Sequence, residues 1–162
     1  MQDPVLIIGA SGTIGSAIAR TLSESGNRLI LHGRRETDGL RTLAEALDAP
    51  CYAADLTSDA ATQEFFEIVG QENANLSGIV FCAARPFPHK LALRTDWTVF
   101  QEQIDTQLKA LHTTLQAFKP ALEKRPDGAR VIILSTEYVL GTPPQKIAPY
   151  IAAKAALTAY GQ

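Results

Sequence analysis

The sequence predicts an α/β domain in which a parallel β-sheet is covered by helices on both faces. Short apolar runs alternate with longer segments of helical periodicity, which is typical of parallel strands joined by right-handed crossovers. The first apolar run is followed at once by a glycine-rich turn that opens a helical pattern. The chain has 162 residues and 46% hydrophobic content, which fits one domain (1–162) with a sizeable core.

Each element follows from one of two periodicities. Apolar runs bounded by turn residues predict strands at 5–8, 28–32, 51–54, 78–83 and 130–135. Apolar residues three and four apart predict helices at 14–25, 40–47, 60–69, 96–121 and 150–160. The first helix is expected to pack on the sheet through the face that carries Ile14, Ala17, Ile18 and Leu22. The longest helix is expected to bury its apolar stripe from Trp97 to Phe118 and to end near Pro120.

Composition argues against several classes of protein. The net charge is −2 and no block of one sign occurs, so neither nucleic acid nor a membrane surface is expected as a partner. The N-terminus lacks the basic start of a secretory signal, and no apolar stretch approaches the roughly 20 residues that span a bilayer. Cys51 and Cys82 are expected to be buried apolar residues rather than a disulfide or a metal pair. These features predict a cytoplasmic protein.

The glycine-rich turn is the first candidate binding site. Glycines at its start, middle and end allow a sharp turn, a close backbone approach to a pyrophosphate and tight helix packing. The free amides and positive dipole end of the helix then face the anion. The alternative is an ordinary strand-to-helix turn. The predicted phosphate-binding residues are Gly9, Ser11, Gly12, Thr13, Ile14 and Gly15.

Residues after the second and third strands bear on the choice of nucleotide. Arg34 and Arg35 stand where an acid would accept a ribose 2′-hydroxyl. Guanidinium groups bind a 2′-phosphate instead, which favours NADP over NAD. Asp55, followed by Leu56 in the same predicted site, is expected to accept a hydrogen bond from the adenine amino group, to cap the turn with Thr57, or both.

A second constellation lies at the other end of the chain. Tyr150 and Lys154 are four residues apart on a predicted helix, so both side chains share one face. A nearby ammonium favours the phenolate form of tyrosine and makes it a competent proton donor to a ketone. The hydroxyl of Thr136 or Ser135, at the end of the fifth strand, is a candidate for holding the carbonyl oxygen. The alternative is a buried tyrosine beside a surface lysine.

Taken in order, the glycine-rich turn, Asp55, the Ser135-Thr136 strand end and the Tyr150/Lys154 pair resemble the short-chain dehydrogenase/reductase family. The resemblance covers nearly the whole chain. It implies a doubly wound Rossmann-type sheet in three α/β/α layers, a nicotinamide cofactor, and hydride transfer between the cofactor and a carbonyl or alcohol. Tyr150 would be the acid/base and Lys154 the ribose contact and electrostatic partner. Thr136 would replace the family's substrate-orienting serine, with Ser135 as the neighbouring candidate.

The chain departs from the family pattern in several places. The cofactor-supporting segment after the fourth strand becomes Cys82, Ala83 and Ala84, and the proton-relay asparagine aligns with Gln107. The glycine spacing is closer to that of the family's nucleotide-sugar members. The chain also lacks the family's last strands, which implies a longer parent chain, a member that binds nucleotide without turnover, or a partner that supplies the missing wall.

The leading expectation is an NADP-dependent reductase of a small-molecule carbonyl substrate. The family resemblance also implies a homo-oligomer packed through the fourth and fifth helices. The alternatives are a non-catalytic NADP-binding regulatory or scaffolding module, and an NAD-using epimerase or dehydratase of nucleotide sugars. No metal is predicted, because no histidine has a second ligand at metal-binding spacing. Arg85 is interpreted as a solvated loop charge, with contact to an anionic substrate as the alternative.

Overall fold

The sheet has the parallel, doubly wound arrangement that the sequence predicts. The computed structural model describes residues 3–72, 75–126 and 128–162. Within these residues, five parallel strands form one sheet in the order β3-β2-β1-β4-β5. The strands are β1 (Val5–Ile8), β2 (Leu29–Gly33), β3 (Cys51–Ala53), β4 (Gly78–Phe81) and β5 (Arg130–Ile133).

Helices connect successive strands and cover both faces of the sheet. They are α1 (Thr13–Glu24), α2 (Asp38–Leu47), α3 (Asp59–Glu72), α4 (Trp97–Ile104), α5 (Ala110–Glu123) and α6 (Ala148–Tyr160). A π-helical turn at Asp105–Lys109 joins α4 to α5. Short 3₁₀ segments lie at Ala92–Arg94 and Glu137–Val139. None of the helices in the described residues is long and apolar enough to cross a bilayer.

Strand order places the cleft. The chain winds outward from β1 to β3 on one side and then returns to the other side at β4. Ligands of such sheets bind outside the carboxyl ends of the strands at the point where the order reverses. Here that point lies between β1 and β4.

Two apolar layers hold the fold together, one on each face of the sheet. One contains Leu6, Ile8, Ile79, Phe81 and their neighbours from α3, α5 and α6. The other contains Ile7, Leu31, Val80 and their neighbours from α1 and α2. Adjacent residues of β1 enter opposite layers, which explains why its sequence is an uninterrupted apolar run.

The predicted face of α1 is wrong in part. Ile14 is 61% exposed and Ala17 is exposed, whereas Gly15 and Ala19 are the buried residues. A Cβ on Gly15 would lie 2.2 Å from the Gly9 carbonyl oxygen. The backbone of α1 therefore approaches the turn too closely for a large side chain, and small residues face inward.

The long predicted helix differs from expectation in three respects. The π-turn interrupts it, and α5 continues past Pro120 to Glu123. Pro120 thus lies inside the helix, but it is exposed, so water can bind the carbonyl group that the missing amide leaves without a partner. Of the apolar stripe, Leu111 and Phe118 are buried, whereas Trp97 is 66% exposed and stacks on Phe100 with ring centroids 5.6 Å apart.

Candidate active site

A cavity of about 410 Å³ opens at the carboxyl ends of the central strands. It lies between the glycine-rich turn and the segment that follows β4. The cavity brings together most residues of the predicted cofactor site: Gly9, Ser11, Gly12, Thr13, Ile14, Gly15, Arg34, Asp55, Leu56, Cys82, Ala83 and Ala84. Arg35 is exposed, and neither Arg35 nor Lys154 is a lining residue.

The turn after β1 has the geometry of an anion-binding cradle. Gly9 has a φ of 87°, and a Cβ there would lie 3.0 Å from the Ala83 nitrogen. The Gly12 amide donates to the Gly9 carbonyl at 3.1 Å, which closes the turn. No side chain among the described residues caps the N-terminus of α1. The first amides of α1 therefore remain available to phosphate oxygens, so the turn fits the pyrophosphate of a dinucleotide.

His32 supports this turn from below. Its Nδ1 accepts a hydrogen bond from the Gly9 amide at 3.4 Å, and its Nε2 lies 2.9 Å from the Ala54 carbonyl oxygen. A carbonyl only accepts, so Nε2 carries the proton and the ring is neutral. Burial lowers the pKa of His32 to about 4, although the bond to Ala54 and the charge of Asp55 oppose this. His32 thus connects the glycine-rich turn to the end of β3 by two hydrogen bonds, a role that was not predicted from the sequence.

Three charged side chains, Arg34, Asp55 and Arg85, line the cavity. Asp55 Oδ1 accepts from the Thr57 amide at 3.1 Å and from its hydroxyl at 2.7 Å, so the predicted cap is confirmed. Partial burial acts to raise the pKa of Asp55, but the Thr57 hydrogen bonds and the positive charges of Arg85 and Arg34 outweigh it. The pKa consequently lies below its usual value, and Asp55 is a carboxylate at neutral pH. Adenine recognition by Asp55 stays a prediction.

Arg85 is not the solvated loop charge that the sequence analysis favoured. Its side chain is only 23% exposed, lines the cavity, and lies 4.0 Å from Glu102. Its carbonyl accepts a hydrogen bond from Gln103. Neighbouring residues of α4 therefore hold Arg85 by both its backbone and its side chain. No local sequence pattern indicates these contacts, because they join segments that are far apart in the chain.

Tyr150 and Lys154 lie on one face of α6, as the spacing predicts. The Lys154 Nζ is 5.8 Å from the centroid of the Tyr150 ring. The Tyr150 ring also stacks on the Phe87 ring, with centroids 5.4 Å apart and an interplanar angle of 15°. Phe87 belongs to the proline-rich loop after β4, so this loop fixes the plane of the tyrosine ring.

Lys154 is buried, with its amine in contact with the end of β5. Its Nζ donates to the Leu134 carbonyl at 2.5 Å. Burial lowers the pKa of Lys154 to about 8, and only the negative charge that Cys82 carries when ionised opposes this shift. Burial in turn raises the pKa of Cys82 to about 11, which keeps that thiol protonated. At neutral pH the amine is therefore a cation, and it interacts with Cys82, which lines the cavity.

The two candidate hydroxyls at the end of β5 have different surroundings. The Ser135 hydroxyl is 2.5 Å from that of Thr158, which lies one turn beyond Lys154 on α6. The Thr136 hydroxyl accepts weakly from the Tyr138 amide at 3.5 Å and retains its own proton for another acceptor. Because the Ser135 hydroxyl is engaged with Thr158, Thr136 is the candidate with the less engaged hydroxyl.

Two buried glutamines form a hydrogen-bonded chain that ends at Gln107. Gln103 Nε2 donates to the Arg85 carbonyl at 2.9 Å, and Gln107 Nε2 donates to Gln103 Oε1 at 2.8 Å. Because a carbonyl only accepts, the Arg85 oxygen fixes the orientation of both amides. Gln107 Oε1 is left buried, without a partner among the described residues. Among the described residues, the π-turn thus presents two buried polar atoms without a partner, the acceptor Gln107 Oε1 and the hydroxyl of Thr106. Gln103 was not predicted.

Comparisons with known proteins agree with this geometry. Residues 9–162 match the profile of a family described as enoyl-(acyl carrier protein) reductase. An uncharacterized oxidoreductase of Staphylococcus epidermidis is 33% identical across 99% of this chain, which spans 69% of that protein. A 3-oxoacyl-(acyl-carrier-protein) reductase of Rickettsia prowazekii is 35% identical over 94% of this chain and 61% of its own length.

A solved structure extends the comparison to the fold. A short-chain dehydrogenase of Shigella flexneri, determined in complex with NADP, matches with a TM-score of 0.87. The aligned region covers 99% of this chain and 70% of the solved chain, at 21% sequence identity. The agreement confirms the predicted α/β fold.

Proposed function

The chain belongs to the short-chain dehydrogenase/reductase family of NAD(P)-dependent oxidoreductases, and from this premise we propose that it is an NADP-dependent carbonyl reductase. The observation that carries the proposal is the Tyr150/Lys154 pair on one face of α6, with the amine 5.8 Å from the phenol ring. Lys154 interacts electrostatically with Cys82, and Cys82 lines the cavity whose glycine turn fits a dinucleotide pyrophosphate. The arrangement supports proton transfer next to a bound nicotinamide.

Arg34 supports the choice of NADP. It lines the cavity directly after β2, where the ribose of a nucleotide seated on the glycine turn would lie. A guanidinium there can form paired, charge-assisted hydrogen bonds with a 2′-phosphate. The Shigella protein with a similar fold was solved with NADP. Arg35, which is exposed, remains a secondary candidate for the same phosphate.

The chain's own residues divide the remaining work. NADPH, held by the glycine turn and Arg34, would supply the hydride that reduces the carbonyl carbon. Tyr150 donates its phenolic proton to the carbonyl oxygen, and the cationic Lys154 stabilises the negative charge left on the phenol oxygen. Thr136 holds the carbonyl oxygen by a hydrogen bond during the transfer. Gln107, which aligns with the family's proton-relay asparagine, has a buried Oε1 that would accept a hydrogen bond from a relay group.

Lys154 also sets an expected pH limit. Its pKa of about 8 means that the amine loses its charge as the pH rises through that value. Turnover should fall with it, because a neutral amine no longer stabilises the phenolate.

Replacement of Tyr150 tests the proposal. The substrate to assay first is a β-keto thioester such as acetoacetyl-coenzyme A, because the Rickettsia relative is named a 3-oxoacyl reductase. Tyr150→Phe should abolish NADPH oxidation while calorimetry shows nearly unchanged NADPH affinity. Tyr138→Phe, an exposed tyrosine on the neighbouring 3₁₀ segment, is the matched control and should keep full activity. Equal turnover by the Tyr150 variant would overturn the assignment. NADPH binding without consumption across a carbonyl panel would favour the non-catalytic module instead.

A further inference from the structure

A second cavity, lined mostly by basic side chains, lies near Tyr150 and is not explained by cofactor binding. Its volume is about 530 Å³, and its lining residues are His89, Lys90, Leu91, Arg94 and Lys146. They come from two segments, the loop and 3₁₀ turn after β4 and the loop that leads into α6. We call these five residues the basic cavity.

The cations of this cavity lack the carboxylate partners that five cations of the described residues have, Arg41, Arg85, Lys109, Lys119 and Arg125. Lys109, Lys119 and Arg125, for example, each lie within 4.0 Å of a carboxylate. Across the described ranges, no carboxylate lies within that distance of Lys90, Arg94 or Lys146. Asp96, two residues beyond Arg94, is the nearest acid in the sequence and forms no such pair.

This concentration of positive charge is unusual for the molecule as a whole. The chain has 15 lysines and arginines against 17 acids. Unpaired cations that converge on one concave surface raise the local potential and attract anions. Like charges held together cost free energy unless an anion offsets their repulsion. Lys146 also has a φ of 67°, an unfavourable backbone conformation for a residue with a side chain.

Ring contacts connect the basic cavity to the candidate catalytic residue. The His89 ring lies 5.3 Å from the Phe87 ring, which in turn stacks on Tyr150 at 5.4 Å. Lys146 lies four residues before Tyr150, at the entrance to α6. The basic cavity is therefore linked to Tyr150 by two successive ring contacts, and a substrate with its carbonyl at Tyr150 would have to span these to reach it.

We propose that the basic cavity binds an anionic group of the substrate, such as a phosphate, sulfonate or carboxylate, while the carbonyl of the same molecule meets Tyr150. This inference rests on the proposed reductase function and adds the class of substrate. Lysine and arginine attract the anion by charge, and the guanidinium of Arg94 adds directional hydrogen bonds. Leu91 supplies an apolar wall against the stem that carries the group.

A binding experiment tests the site without requiring turnover. Inorganic phosphate is titrated into the isotope-labelled protein with NADP+ present, so that the glycine turn is filled, and backbone amide shifts are followed by NMR. We expect saturable shifts at residues 89–94 and 146, and a dissociation constant raised about tenfold or more in the Lys90→Gln/Arg94→Gln/Lys146→Gln variant. A matched variant that neutralises the exposed Arg20, Lys119 and Lys124 removes the same charge elsewhere and should bind as the unmodified protein does.

A kinetic experiment tests the link to the substrate. Acetoacetyl-coenzyme A carries phosphates, whereas the acetoacetyl thioester of N-acetylcysteamine presents the same ketone without them. The kcat/KM ratio of the first to the second should fall about tenfold in the basic-cavity variant and stay constant in the control variant. If the basic-cavity variant loses kcat/KM with the coenzyme A ester but not with ketones that carry a carboxylate or a sulfonate, phosphate is the group bound.

The outcomes separate the two proposals. Absence of saturable shifts at 89–94 and 146, or identical shifts in the basic-cavity variant, would overturn the anion site. If neither thioester is reduced, or NADP+ does not bind, the reductase proposal fails. The phosphate titration, repeated without NADP+, still decides whether the basic cavity binds anions.

Discussion

Acidification should lower the free energy of unfolding through His32, because this buried ring must be neutral to make its hydrogen bonds to the glycine-rich turn and to Ala54. Its Nδ1 accepts from the Gly9 amide, and its Nε2 donates to the Ala54 carbonyl. A proton on Nδ1 would place two donors against each other. The predicted perturbation is therefore a fall in pH, and the variant that isolates the effect is His32→Gln, which keeps a donor and an acceptor but does not titrate.

The magnitude follows from the two pKa values. His32 has a pKa of about 4 in the folded protein against a reference value of 6.5. Since the folded-state pKa is lowered, the stabilising contribution is complete above pH 6.5 and is lost as the pH falls toward 4. At about 1.4 kcal/mol per pKa unit, the loss reaches about 2 kcal/mol near pH 5 and about 3 kcal/mol when complete.

The assay is urea unfolding at a series of pH values between about 7 and about 4.5, followed by circular dichroism. Carboxylates also titrate toward the low end of this range, so the quantity to compare is the slope of stability against pH in each protein. The unmodified protein should lose about 2 kcal/mol more than His32→Gln between pH 7 and pH 5. His89→Gln, which removes an exposed histidine, should retain the slope of the unmodified protein. Parallel curves for the unmodified protein and His32→Gln would refute the reasoning.

Three further changes test the site. Gly15→Ala should lower both thermal stability and NADPH affinity, because its Cβ would lie 2.2 Å from a backbone oxygen. Gly39→Ala, with nothing within 4 Å of its Cβ, should change neither, and differential scanning fluorimetry with and without NADPH compares the two variants. Gln103→Leu should lower kcat several-fold and alter its pH profile while KM for NADPH stays constant, since the Gln107 amide loses its anchor; an unchanged profile would contradict this positioning role. Arg34→Gln should raise the dissociation constant of NADPH about tenfold and leave that of NADH unchanged, measured by calorimetry; equal losses for both would argue against a 2′-phosphate contact.

Much of the fold was predictable because parallel strands buried on both faces have uninterrupted apolar sequences. The run at 5–8 coincides with β1, and the glycine turn after it fixes the start of α1 within one residue. The Tyr150/Lys154 pair was predictable for a similar reason, because residues four positions apart on a helix share one face. In both cases short-range sequence determines the geometry.

The features that were missed depend on contacts between distant segments. His32 reads as the end of a strand, and only the fold brings its ring to Gly9 and Ala54. Hydrophobic periodicity placed Ile14 toward the core, since the pattern registers apolar character and not the close backbone approach at Gly15. Two glutamines four apart on a predicted helix were a signal for the Gln103–Gln107 bond, but the Arg85 carbonyl that orients them lies 18 residues away from Gln103.

The π-turn at Asp105–Lys109 makes the long helix sensitive to its residue count. A regular α-helix rotates by about 100° per residue, so removing one residue from this turn would turn α4 by roughly that angle relative to α5. Gln103 would then leave the interior while Phe118 kept its place. Insertions and deletions here should be tolerated far less well than substitutions, and directed evolution of this scaffold would do best to vary side chains at this turn while keeping its length constant.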